Sequence, residues 1–393
     1  MTDTYRLDRN EQRLTLEGIT YSASDLDRLE KEITGQASDF LQDLCGFLKE
    51  WFNESPTIKV QTSGSTGVPK ELVVRKEQMT QSARLTCEYL GLRDGDTALL
   101  CMPLKYIAGK MVVVRTLVAG LDLIPRTPSG HPLADVTTPI RFAALIPMQV
   151  YNSLQVPEER DRLSAIGTLI IGGGSIDPSL EEEIRKLPNA VYSTYGMTET
   201  LSHIALRRLN GPDASPYYHP FPSVKLSLSE DGTLVIEAPL VSDERLVTND
   251  VARILPDGSF TILGRRDNIV NSGGIKIQIE EVEEALRPHL DMAFAITSIP
   301  DPKFGEILVL LLENPVPTRD SLIRPHGTTP YGLMALPHTT LWDNAIREAI
   351  GNLPPYHRPK HILEVDAIPQ TGSGKIDRAA CRAFARNIIS KTR

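Results

Sequence analysis

Residues 168–200 read TLIIGGGSIDPSLEEEIRKLPNAVYSTYGMTET. An apolar run, TLIIGG, gives way to PSLEEEIRKL, where apolar residues recur at helical spacing. A second strand-like run, AVYSTY, follows. Strand, helix, strand is the order that builds a parallel sheet, because parallel neighbours need a long crossover between them. The same alternation extends towards the N-terminus, with TIKVQT, ALLCM, LDLIP and FAALI as strands and KEQMTQSARLTCEYL as a helix. From Ser24 to Asn53 the spacing predicts helix broken near Gly35, with Ser24 as N-cap and Asp27 at the capping-box distance.

Beyond about residue 223 the texture changes to VKLSLS, LVIEA, ARILP and FTILG, with Asp-Gly turns at 231–232 and 257–258. These read as antiparallel strands and hairpins. After GRRD (264–267) comes a smaller unit. It has helices at EEVEEALRPHL and LWDNAIREAIGNL, strands at MAFAITSIP and EILVLLLE, and a Pro/Gly/Thr-rich surface loop over 315–340. The expected fold is α/β: a large N-terminal domain (1–264) of mixed sheets with a small antiparallel β part, then a small α+β domain (265–393).

The bulk numbers exclude several classes. A net charge of −8 with no basic tract argues against a nucleic-acid partner. Cys45, Cys87, Cys101 and Cys381 show no CxxC spacing, which argues against a disulfide framework or zinc site. MTDTYRLDRNEQRL lacks the apolar core of a secretory signal, and MVVVRTLVAGLDLI (111–124), interrupted by Arg115 and Asp122, is too short to span a bilayer. The expectation is a cytoplasmic protein with no transmembrane segment.

QTSGSTGVPK (61–70) follows a strand and has the composition of a phosphate loop: glycines that let the backbone approach an anion, hydroxyl donors and a lysine. It is not a Walker loop, since Gly64 to Gly67 is the wrong spacing and Pro69 precedes Lys70. The plain alternative for this stretch taken by itself is a flexible polar loop between two strands. Three further stretches occur in order behind it: TYGMTET (194–200), TNDVARILPDGSFTILGRRDNIV (248–270) and PQTGSGKIDR (369–378).

This ordered set resembles the adenylate-forming enzymes (acyl- and aryl-CoA synthetases, luciferases and adenylation domains) over roughly residues 57–393. The resemblance implies ATP, Mg²⁺ and CoA as cofactor and co-substrates, and a small carboxylic acid as partner. It implies that Thr62, Ser63, Gly64, Ser65, Thr66, Gly67 and Lys70 hold the pyrophosphate end of ATP. Gly173, Gly174 and Ser175 would line the adenine, with Tyr195, Gly196 and Met197 on the nucleotide. Thr198 would face the phosphate, Glu199 would carry the magnesium, and Asp250 and Arg265 would hold the ribose. Lys375 would bridge the acid and the α-phosphate. Asp267 would be the hinge about which a mobile C-terminal domain swings, bringing Ser272, Gly273 and Gly274 to the CoA thiol. Where the family usually has Thr-Gly before the ribose Asp, this chain has Thr248-Asn249. Catalysis of such a phosphoryl step is mostly positioning and charge stabilisation, which suits a lysine, a metal-linked carboxylate and a loop of N–H donors.

The acid is read from two places. In CMPLKYIAGKMVVVR (101–115), Tyr106 stands where many members have His, and Lys110 and Arg115 follow at helical spacing. Buried cations are costly in a fatty-acyl pocket but suit an acid with a second carboxylate; the plain alternative is solvated helix-surface charge. YGMTETLSHIALR, with Ser202 and His203, resembles the family branch that makes o-succinylbenzoyl-CoA in menaquinone synthesis. That implies Tyr106, Lys110, Ser202 and His203 as acid contacts. The phosphate loop also begins earlier than in most members, which makes a homodimer partner a candidate to complete the pocket. Two alternatives stay open: an aryl or acyl adenylase that takes another acid or loads a carrier-protein thiol, and a non-catalytic nucleotide-binding protein.

Overall fold

A computed structural model describes residues 5–34, 39–61, 71–290, 292–313, 340–371 and 376–392. The chain divides into two compact units: one of residues 1–229, 234–248 and 254–261, the other of 230–233, 249–253 and 262–393.

The larger unit opens with a hairpin, Leu14–Leu16 (β1) and Ile19–Tyr21 (β2), then the helices Leu26–Thr34 (α1) and Asp39–Phe52 (α2). A second hairpin, Thr57–Gln61 (β3) and Glu71–Arg75 (β4), leads into Lys76–Leu90 (α3). Next come Thr97–Leu100 (β5), Ile107–Ala119 (α4), Asp122–Pro125 (β6), Phe142–Leu145 (β7), Pro147–Gln155 (α5) and Pro157–Ala165 (α6). Thr168–Ile171 (β8), Pro178–Arg185 (α7), Ala190–Gly196 (β9), His203–Arg208 (β10) and His219–Pro220 (β11) complete the main layer. The strands of the opening stretch, β8 and β9, are parallel neighbours, with α7 as their crossover.

The main sheet runs β11-β10-β9-β8-β7-β5-β6-β1-β2. Its interior from β9 to β1 is parallel, while β2, β10 and β11 pair antiparallel at the margins. Both faces are covered, so the strands are nearly continuous apolar runs. Leu99, Cys101, Ala143, Leu145, Leu169 and Ile171 face a core with Val150, Leu163 and Ile184 of the α5–α7 layer.

The expected helix cap needs correction. Residues 24–53 form two helices behind a short 3₁₀ turn at Ala23–Asp25, and the cap is Ser22, not Ser24. Asp25, not Asp27, reaches back three residues to accept the Ser22 N–H at 2.8 Å. The polar N-terminal stretch also hides β1 and β2, whose Glu17-Gly18 turn has positive φ at both residues (45° and 84°).

Lys225–Leu228 (β12), Thr233–Glu237 (β13), Leu246–Ile254 (β14) and Phe260–Arg265 (β15) form a four-stranded sheet in that order. The smaller unit, whose main stretch is 262–393, holds Ile269–Ser272 (β16), Ile275–Gln278 (β17), Ile279–Leu286 (α8), Phe294–Asp301 (β18) and Gly305–Glu313 (β19). Thr340–Asn352 (α9), His361–Val365 (β20) and Arg378–Thr392 (α10) follow. Alternation sorts β18 and β19 between two cores. Ile296, Leu308 and Leu310 pack towards α8 and α9, whereas Ala295, Val309 and Leu311 pack with Cys381 and Ala385 of α10. The loop expected over 315–340 falls, up to residue 339, outside the described residues.

Candidate active site

In a parallel sheet ligands gather at the carboxyl ends of the strands, where successive crossovers leave to opposite sides. Here that point lies between β5 and β7. The chain leaves β5 through α4 towards β6, and leaves β7 through α5 and α6 towards β8. Tyr106 stands at the start of α4 and forms a parallel bridge with Gln61, the last described residue before the glycine-rich loop. Thr62, Ser63, Gly64, Ser65, Thr66, Gly67 and Lys70 themselves lie outside the described residues. Gly173, Gly174 and Ser175 leave the carboxyl end of β8, and Tyr195, Gly196 and Met197 that of β9. The Tyr195 ring packs on Phe260 at 5.2 Å between centroids and on Tyr218 at 5.8 Å, and the Tyr218 hydroxyl is 2.8 Å from Ser193 Oγ.

The turn from β9 to β10 is tightly built. Thr198, Glu199 and Thr200 form one 3₁₀ turn. The buried Thr200 hydroxyl lies 3.0 Å from both Met197 N and Met197 O and donates to Ser202 O at 2.8 Å. Leu201 is buried with φ +65°, a conformation non-glycine residues rarely adopt. Gly196 has no room for a side chain, because a Cβ there would come 2.3 Å from Ser202 O. The effect is to leave Glu199 exposed and to turn Ser202 inwards. One exposed carboxylate fits a magnesium ion whose other ligands are phosphate oxygens and water. Among the described residues no three His, Cys, Asp or Glu side chains form an all-protein cage.

Ser202 meets Arg115 of α4, whose Nη2 donates to Ser202 Oγ at 2.6 Å. Arg115 is 2 % exposed, and its Nε is buried without a partner among the described residues. Burial pushes its pKa down to about 10. His203 is buried too, with Nδ1 3.3 Å from Ser202 Oγ and Nε2 3.1 Å from Thr86 Oγ1 of α3. Burial first, and Arg115 second, hold the imidazole well below its ordinary pKa, so it is neutral.

Lys110 is also buried, so neither it nor Arg115 is solvated surface charge, whereas Lys105 is exposed. The structure does not group Lys110 with Ser202. Five residues along a helix turn a side chain about 140° away, and Lys110 faces α2, 3.6 Å from Glu50 and over the Phe47 ring.

In the smaller unit Arg265 joins two predicted residues. Its Nε and Nη2 donate to both Asp267 oxygens at 2.9 and 2.8 Å, and its Nη1 to Asp250 at 3.3 Å. The Asp267 hydrogen bonds raise the Arg265 pKa, and Arg265 lowers that of Asp267. Ser272 ends β16, and Gly273 and Gly274 make the two-residue turn to β17, with φ +61° and +84° that suit Gly-Gly. Lys375 lies outside the described residues. Its flanks are joined by an antiparallel bridge between Gln370 and Ile376 and by Asp377 N donating to Pro369 O at 2.8 Å.

Sequence reading missed Thr86, which looks like one more polar residue on an amphipathic helix. It also missed the pairing of Arg378, next to the GSGK segment, with the buried Glu283 at 2.6 and 2.8 Å. Both contacts are long-range, so local spacing carries no signal for them.

The profile of the AMP-binding enzyme family matches residues 12–238. The chain is 30 % identical over 267 residues to a 2-succinylbenzoate–CoA ligase of Escherichia coli, a match covering 64 % of this chain and 57 % of that protein. The chain thus spans little more than half the length of that relative. A probable 2-succinylbenzoate–CoA ligase of Mycobacterium tuberculosis is 25 % identical, with 88 % of this chain and 89 % of the relative covered. Among solved structures, an acyl-CoA synthetase (AMP-forming)/AMP-acid ligase II-like protein of Dyadobacter fermentans is 31 % identical with a TM-score of 0.58, covering 88 % of this chain and 94 % of that one. The chain belongs to the AMP-binding enzyme family.

Proposed function

We propose that the chain is an ATP-dependent acid–CoA ligase that works through an acyl-adenylate, with o-succinylbenzoate as its acid. The observation that carries the choice of acid is Arg115. A guanidinium removed from water is costly unless an anion meets it, and among the described residues no carboxylate lies within ion-pair distance of it. Its bonded partner is a hydroxyl, Ser202, on the same turn as Glu199. A keto-diacid supplies the missing charge: the aryl carboxylate goes to Arg115, leaving the succinyl carboxylate to react. The 2-succinylbenzoate–CoA ligases among the relatives support the same acid.

In this reading a succinyl carboxylate oxygen attacks the α-phosphorus, the bond to the β-phosphate breaks, and pyrophosphate leaves. The thiolate of CoA then attacks the acyl carbon and AMP leaves. Magnesium, when bound at Glu199, supplies positive charge to the phosphate oxygens. Thr198 and the 62–70 loop bind the phosphates, Tyr195 and the Gly173–Ser175 turn the adenine, and Asp250 with Arg265 the ribose. Lys375 neutralises charge on the α-phosphate, and movement about Asp267 presents the 272–274 hairpin to the thiol. The reading takes the chain to be cytoplasmic, and its expectation of a homodimer is checked by light scattering.

The test is AMP and thioester formation with ATP, Mg²⁺ and CoA across o-succinylbenzoate, benzoate, a medium-chain fatty acid and acetate, with Lys375→Ala alongside. Turnover confined to o-succinylbenzoate and abolished in the variant is expected. Turnover with a monoacid alone refutes the diacid assignment. AMP formation that continues with CoA left out but a carrier-protein thiol supplied, and no free thioester, refutes CoA as acceptor.

A further inference from the structure

His203 was expected to touch the acid, yet its ring is buried and both nitrogens are engaged by protein hydroxyls. Resting on the reading that the acid's second carboxylate meets Arg115, we propose that Thr86 and His203 are positioning residues. Together they fix the Ser202 hydroxyl as an acceptor for Arg115 and so tune the site for a dicarboxylate.

Proton counting carries the argument. A guanidinium can only donate, so Ser202 Oγ accepts from Arg115 at 2.6 Å. The single Ser202 proton is then free to go to His203 Nδ1 at 3.3 Å. His203 Nε2–H donates to Thr86 Oγ1 at 3.1 Å, and the Thr86 proton goes to the Ser82 carbonyl at 3.1 Å. Both hydroxyl protons and the ring N–H are used in this arrangement, giving four bonds in one direction. The opposite tautomer has Nδ1–H donating to Ser202 and Thr86 donating to Nε2. It makes three bonds, leaves the Ser202 proton without an acceptor in the cluster and gives up the Ser82 bond. Buried polar groups favour the fuller set. A neutral ring is required in either case, in line with the lowered pKa of His203.

The chain of bonds ends on the backbone of α3, so the orientation of Ser202 is set by a rigid element. Ser202 in turn holds one nitrogen of Arg115. Fixing a long cation in one rotamer before binding reduces the entropy lost when the carboxylate arrives.

Thr86→Val keeps the shape and removes the hydroxyl. The KM for o-succinylbenzoate is expected to rise about fivefold to tenfold, as for loss of one buried hydrogen bond, while kcat and the KM for ATP change by less than about twofold. Thr86→Ser restores the wild-type KM. In ¹⁵N-histidine-labelled protein, the His203 signals (assigned by difference with His203→Asn) should show a neutral ring protonated on Nε2, moving to Nδ1 in Thr86→Val. An Nδ1-protonated or charged ring in the wild type overturns the proposal, as does an unchanged diacid KM in Thr86→Val. Absence of diacid turnover in the wild type overturns the ligase reading and the specificity role with it, while the ring signal still decides the direction of the bonds.

Discussion

Arg115 in the larger unit and Arg378 in the smaller are both largely withdrawn from water, and they are held in opposite ways. Arg378 makes two charge-assisted bonds to Glu283, which is nearly fully buried and also accepts the Ile296 N–H at 2.8 Å. Despite burial, the pKa of Arg378 is raised by that carboxylate, whereas that of Arg115, opposite a hydroxyl, falls. A third cation, Lys76, is 1 % exposed and donates to the Asn53 side chain at 2.8 Å and its carbonyl at 3.3 Å, and burial brings its pKa down to about 8. A cation given a carboxylate of its own is complete and structural. One given only a hydroxyl still has charge to offer a ligand.

Four variants press on that contrast. Glu283→Ala should destabilise the smaller unit by about 3 kcal/mol, the low end for a broken buried pair because Arg378 keeps some access to water; denaturant unfolding measures it. Arg115→Met should lower kcat/KM for o-succinylbenzoate about a hundredfold, about 2.7 kcal/mol, without lowering the melting temperature, since it removes a desolvated charge. A marked fall in melting temperature would place Arg115 with Arg378 as structural.

For Lys76 the sign follows from its lowered pKa. Its contribution to stability is present above the unfolded value of 10.5 and is lost as pH falls through about 8. Thermal melts should therefore show wild type gaining on Lys76→Met as pH rises from 8 towards 10.5, and parallel curves would contradict this. The double variant Glu283→Gln with Arg378→Met removes both charges and keeps an acceptor for the Ile296 N–H. It should stay within about 1 kcal/mol of wild type, and a loss as large as that of Glu283→Ala would show that the pair does more than neutralise itself.

Much of the fold was legible in the sequence because local rules govern it. Period and turn chemistry set α3, the strands β5 to β9 and the Asp-Gly turns at 231–232 and 257–258, which fall between paired strands. The β1–β2 hairpin escaped notice because its strands are three residues long and sit among charged neighbours; alternating Leu14 and Leu16 before Glu17-Gly18 were the signal available. In the site, Glu199 and Ser202 could be found by their motif. The partners of Ser202 and His203 could not. Arg115 lies 87 residues from Ser202, and Thr86 lies 117 from His203. Sheet order alone brings them together, and no periodicity within either helix encodes it.

The strained turn at Leu201 has a consequence for anyone wishing to retarget this protein. Thr200 ties Met197 to Ser202, and Gly196 leaves no slack beneath them, so the carboxylate at 199 and the hydroxyl at 202 that meets Arg115 move as one part. If the proposed acid site holds, new acid preferences are therefore best sought in the helices that face this turn, at positions such as Thr86 and Arg115, where a change of side chain leaves the exposed carboxylate of Glu199 where it stands.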